Sequence, residues 1–197
     1  VMSSLIKISL ILAISANSVL AALPGSGTQP DPWRIDSEAD LDEFASDSNY
    51  WDDYTQLDSN VNLAGSTYTQ AVIAGDNNGS DLTFQGTVFS GVFDGKNNSI
   101  VNMTIDTSGV GNDYLGFFGK VSASGQVKNL KVENCTIIAA KQSHYVGGLV
   151  GYIDGSVENC SSSGSINTGD YSHYIGGLIG RSHYGDITHS HSSCTIE

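Results

Sequence analysis

Basic residues are scarce in this chain: 8 Lys and Arg stand against 21 Asp and Glu in 197 residues, a formal net charge of −13. An acidic surface repels phosphate, and no basic stripe with interleaved aromatics is present, so nucleic acid is excluded as a partner. Anionic membrane surfaces are disfavoured for the same reason. Proline is almost missing, at 3 residues, while glycine reaches 23. Many turns and few kinks fit an all-β fold of short strands better than a helical one. Cysteine is limited to Cys135, Cys160 and Cys194. An odd count without a CxxC pair argues against a disulfide framework or a thiolate metal site, so small apolar fillers of a core are expected.

Long apolar runs are also lacking, with one exception at the start. Lys7 lies in an apolar stretch from Leu5 to Ile14, followed by polar residues and then Val19-Leu20-Ala21-Ala22. That order predicts a signal peptide over 1–21, and the run is too short to span a bilayer. Removing it leaves 7 basic against 21 acidic residues, a charge of −14. The expected setting is secreted, extracellular or cell-surface, with no transmembrane segment.

Residues 22–33 read as a linker by composition, and 34–88 as a capping helix followed by first strands. Ser37 with Asp40 three residues on is a capping-box pattern, and Leu41, Phe44 and Ala45 share one helical face. Strand-like spacing follows between Tyr54 and Ile73.

From residue 89 to 197 the sequence repeats. Tyr145-Val-Gly-Gly-Leu-Val-Gly151 returns as Tyr174-Ile-Gly-Gly-Leu-Ile-Gly180, and His144 returns as His173. A shorter copy begins at Tyr114. Each copy leads to a second strand (Val127-Lys-Asn-Leu130, Val157-Glu-Asn-Cys160, Ile187-Thr-His-Ser190) and a third near Ile137, Ile166 and Ile196. Ile100-Val-Asn-Met103 matches the second strand again. Three short strands in a period near 30 predict an all-β solenoid of four to five rungs. Gly147, Gly148, Gly151, Gly176, Gly177 and Gly180 are read as corner and close-approach positions. Asn102, Asn129 and Asn159 are expected to stack as one hydrogen-bonded ladder, interrupted at His189.

The motif Y-[VI]-G-G-L-[VI]-G followed by G-x-[VI]-x-N-C resembles the GLUG-motif repeats of bacterial surface and secreted proteins. Phe89 to Gly95 with Ile100 to Met103 is similar to the rung that precedes such repeats, and the Trp33–Leu41 segment resembles their N-terminal cap. The resemblance implies a right-handed parallel β-helix-like solenoid in an extracellular bacterial protein. It leaves activity to be argued from a site.

Chemistry is thin in this sequence. The acids of the rungs, Asp94, Asp106, Asp113, Glu133, Asp154, Glu158, Asp170 and Asp186, form no D-x-D or D-D pair, so catalytic residues are not expected. His183, His189 and His191 have no clearly placed carboxylate or thiol, and no metal or cofactor is expected. Asp76, Asn78 and Asp81 lack the full calcium-loop spacing and read as a plain turn. The candidate binding residues are Tyr114, His144, Tyr145, His173 and Tyr174. Facing outward they would stack on sugar faces or grip a protein; facing inward they are core, and periodicity cannot choose because Val146 is apolar too. Extracellular binding of glycan or protein is therefore expected, with a carbohydrate-active β-helix enzyme or a structural stalk as alternatives. The chain stops just after a third strand, so further repeats or a downstream domain are expected.

Overall fold

A computed structural model describes residues 22–78 and 82–197; the expected signal peptide lies outside the described residues. The fold is a β-solenoid of about four turns with one short helix at its beginning. Every named strand pair is parallel, and each strand pairs with its counterpart in the neighbouring rung.

The helix Glu38–Ser46 starts where the sequence says it should. Ser37 accepts from the Asp40 amide at 3.2 Å, while Asp40 Oδ2 accepts from Ser37 Oγ at 2.7 Å. Glu38 and Asp40 place negative charge in the first turn, where the helix dipole favours it. Leu41 and Phe44 are buried, and the Phe44 ring meets Phe93 at 5.9 Å. The helix therefore closes the first end of the core.

The first sheet runs through successive rungs in chain order. Its register links Trp33 with Thr55, Thr55 with Phe93, Phe93 with Val127, Val127 with Val157 and Val157 with Ile187. The boundary placed at residue 89 is thus not a break, because the segment before it supplies rungs of the same sheet. Residues 22–33 are not a free linker either: Leu23 is buried, and the Arg34 amide donates to Pro24 O at 2.9 Å. A leucine that can fill the end of the core does so, whatever its Pro/Gly-rich surroundings suggest.

The second sheet stacks Val61–Asn62, Ser99–Val101, Lys131–Ala139, Ser161–Thr168 and His191–Ile196. One of its columns runs from Ile105, in the strand Thr104–Asp106, through Ile137 and Ile166 to Ile196. The third sheet carries Phe118–Val121, Val150–Ile153 and Ile179–Ser182. Like residues repeat rung upon rung, so each apolar side chain is covered by its own counterpart. Phe118, Val150, Ile137 and Ile166 are fully buried, whereas Ile196 in the last rung is 48% exposed. One rung cannot bury its own face, which is the physical content of a solenoid.

The corners explain the recurring polar residues and correct one expectation. Asn159 Nδ2 donates to Asn129 Oδ1 at 2.9 Å, and Asn129 Nδ2 donates to Asp94 Oδ1 at 2.9 Å. Asn102 belongs to a different corner: it donates to Asn62 and accepts from Asn134 at 2.6 Å. Ile100 pairs with Val132, so Ile100-Val-Asn aligns with Val132-Glu-Asn134 of the second sheet rather than with Val127-Lys-Asn129. Both corners need a residue tolerant of positive φ, and Asn102, Asn129, Asn134 and Asn159 all adopt it. The same three-letter pattern therefore recurs at two places in one rung.

Cys135 and Cys160 are buried and Cys194 is half-buried; all are free thiols. Burial raises the Cys135 thiol to about 12 and that of Cys160 to about 11.

Candidate functional site: a tyrosine corner and the groove beside it

Tyr114, Tyr145 and Tyr174 occupy one corner at φ of 56°, 58° and 61°. Positive φ is costly for a side chain with a Cβ. It also breaks strand alternation, which lets Tyr145 and Val146 both be buried. The rings stack along the solenoid axis. Tyr114 and Tyr145 lie 4.8 Å apart, and Tyr145 and Tyr174 are 5.1 Å apart and nearly parallel, at 13°. Gly151 and Gly180 stand behind this corner; a Cβ on Gly151 would lie 2.6 Å from Tyr145 O, so backbone packing excludes other residues.

The tyrosine column, whose facing the sequence left open, is therefore mostly an inward ladder. Tyr114 is 4% exposed and Tyr145 7%, and their faces are occupied by one another. Tyr174 is 52% exposed because it sits in the last described rung. Cations that spacing did not single out cover the ladder's edge. Arg181 lies over Tyr145, Tyr152 and Tyr174, and Lys120 over Phe84, Tyr114 and Tyr152, each at 4.9–5.9 Å from the ring centre. In an acidic chain with few bases, two of them are committed to aromatic faces.

The histidines separate. His144 Nδ1 is 3.1 Å from Asp113 Oδ1, which also accepts from the His144 main-chain N–H at 2.6 Å. His173 stacks on His144 at 5.3 Å and is exposed. His183 repeats the carboxylate pairing with Asp154 at 2.9 Å. Burial lifts the Asp113 carboxyl above the usual carboxylate range and the charge of Asp76 adds to this, while the His144 amide and imidazole pull the other way.

Beside His144 lies an open groove of about 750 Å³. It exists because the chain leaves the third sheet for a long excursion. Ile73 and Phe89 bridge the two ends of Phe118–Val121, and of the described residues between them Leu82 and Phe84 lie against Tyr114. Tyr114 OH donates to Leu82 O at 2.8 Å, which ties down the described far part of the excursion. Asn77, Asn78 and Leu82 form one wall. Thr107, Val110 and Asn112 form the other, with Lys141, Gln142 and His144 from the next rung. Amide, hydroxyl, ammonium and imidazole groups thus face a space flanked by exposed Leu82 and Val110. Asp113 is the only carboxylate lining the groove among the described residues.

Of the predicted site residues, only His144 reaches this groove. The excursion and the turn near Val110 have no counterpart in the repeats, so periodicity could not locate it. The His–Asp pairs did leave a trace, because His144 and Asp113 occupy neighbouring rungs. No group of three or more His, Cys, Asp or Glu side chains converges among the described residues. No helix among them is long and apolar enough to cross a membrane.

Ladders, parallel rungs and a Tyr–Gly-Gly corner define a β-solenoid repeat protein. Residues 142–167 and 171–197 match the family described as the GLUG motif, so this part of the chain carries two GLUG-motif repeats. It is also similar to halomucin of Haloquadratum walsbyi (strain DSM 16790 / HBSQ001), with 30% identity over 150 residues. That alignment takes in 76% of this chain and 2% of the halomucin chain. No solved structure matches.

Proposed function

We propose that this chain is a non-catalytic β-solenoid module of an extracellular or cell-surface protein, and that it binds glycan in the groove beside His144. The groove's lining carries the reading. Short amide and hydroxyl side chains suit the hydroxyls of a sugar, and Leu82 and Val110 offer apolar contact to its ring. The similarity to halomucin and the expected signal peptide both favour an extracellular setting. An acid–base glycosidase needs two carboxylates facing the substrate, and among the described residues Asp113 is the only carboxylate lining the groove, with one oxygen held by His144. That favours binding over catalysis.

A spacer role is the second reading, favoured by ladders that consume their own polar and aromatic groups from rung to rung. Both readings are separable on a glycan array followed by calorimetry. Lys141→Ala and Gln142→Gly alter exposed groove residues, and glycine suits the positive φ of Gln142. Each should weaken binding about tenfold, the worth of one good hydrogen bond. Tyr174→Ala should leave affinity unchanged. Absence of any glycan ligand would leave the spacer.

A further inference from the structure

Two buried carboxylates lie beneath the groove, and one of them lacks a complete set of partners. Asp76 is 2% exposed. Its Oδ1 accepts from the main-chain N–H of Gln85 at 2.8 Å and of Asn78 at 3.4 Å, while Oδ2 is buried without a partner. Asp113, also 2% exposed, spends Oδ1 on His144. Next to it, Asn112 donates through Nδ2 to Thr69 O at 3.0 Å, which fixes the amide. Its Oδ1 is then left buried and unpartnered as well. The Gly119 and Lys120 amides donate to Ile73 O at 2.8 Å and to Ala74 O at 3.2 Å, which holds the chain entering Asp76 against the strand that follows Asp113 and Tyr114, and the charge of Asp76 acts on both.

A buried carboxylate needs a counter-charge or a full set of hydrogen bonds. Asp76 makes no ion pair among the described residues. Lys120, the base nearest the Tyr114 ring, is placed over the rings of Phe84 and Tyr114 at 5.4 and 5.9 Å instead. The free atoms are all oxygens, from carboxylate and amide. That donor set suits a hard cation, not zinc or copper.

We propose that a calcium ion is held by Asp76 Oδ2, with Asp113 and Asn112 Oδ1 as neighbouring oxygen donors, and that it pins residues Asp76 to Asn78 onto the solenoid. Main-chain carbonyls and water complete the coordination. The ion would fix the part of the groove wall formed by Asn77 and Asn78. Its presence does not depend on what the groove binds, and the test below uses no glycan.

The mature chain, stripped with EDTA, is titrated with terbium and excited through tyrosine, since Tyr114 lies beside the site. Saturable emission, displaced by calcium, is expected, with a calcium-dependent rise in Tm of roughly 5 °C or more at a hundredfold excess over Kd. Asp76→Asn should abolish both responses, while Asp170→Asn, at an exposed turn, should keep them. Emission and Tm indifferent to calcium in the wild-type chain would overturn the proposal even if Asp76→Asn failed to fold. So would many weak sites unaltered by Asp76→Asn, the mark of diffuse attraction to an acidic surface.

Discussion

Tyr145 offers the sharpest test of how the corner is built, because its two effects have opposite dependence on the replacement. Truncating a buried aromatic costs about 3–5 kcal/mol. Here that includes stacking on Tyr114 and Tyr174 at 4.8 and 5.1 Å and the Arg181 contact at 5.8 Å. Backbone strain is a separate matter. At φ 58° any residue with a Cβ pays about 1–2 kcal/mol, and alanine inherits that cost while glycine does not. Glycine loses about 0.4–1 kcal/mol of this advantage through its freer unfolded chain. Tyr145→Gly should therefore be more stable than Tyr145→Ala by about 0.5–1 kcal/mol. In an ordinary strand the order is reversed. Urea denaturation of both variants, followed by circular dichroism, gives the comparison directly. Both should fall well below wild type, by about 10 °C in Tm. A glycine variant less stable than the alanine one would refute the strained-corner account.

Two further outcomes follow from burial. Ellman's reagent should label Cys194 in the native protein, leaving Cys135 and Cys160 unreactive until denaturant is added, because burial raises their thiol pKa values to about 12 and 11. Asp113 has a raised carboxyl, so in EDTA its contribution to stability is fully present below the ordinary carboxylate value of 3.8 and is lost as pH rises through its folded value. Asp113→Asn should remove that part of the pH dependence in thermal melts, and should cost little at neutral pH because an amide oxygen can still accept from the His144 amide.

Much of the architecture was readable because the fold is repetitive. Ser37 and Asp40 marked the helix start, and the stacking of Ile137, Ile166 and Ile196 follows their spacing. Legibility failed where one local pattern served two corners. Val-x-Asn occurs at Asn129 and at Asn134, and only long-range pairing shows that Asn102 stacks on the latter. The facing of the tyrosines was hidden for another reason. Alternation presumes extended backbone, and a positive φ at Tyr145 places it and Val146 on the same buried side. Non-repeating segments were the least legible. Nothing in the period foretold that Leu82 would reach Tyr114, or that Asn77, Asn78 and Leu82 would form a wall opposite Val110.

The groove, as the place of contact, is best tested by amide chemical-shift mapping of the labelled chain during titration with the strongest glycan from the array. Shifts confined to Asn77 and Asn78, the turn from Thr107 to Asn112, and Lys141 to His144 are predicted. Shifts centred on Tyr174, Arg181 and Tyr184, with the groove silent, would contradict the account.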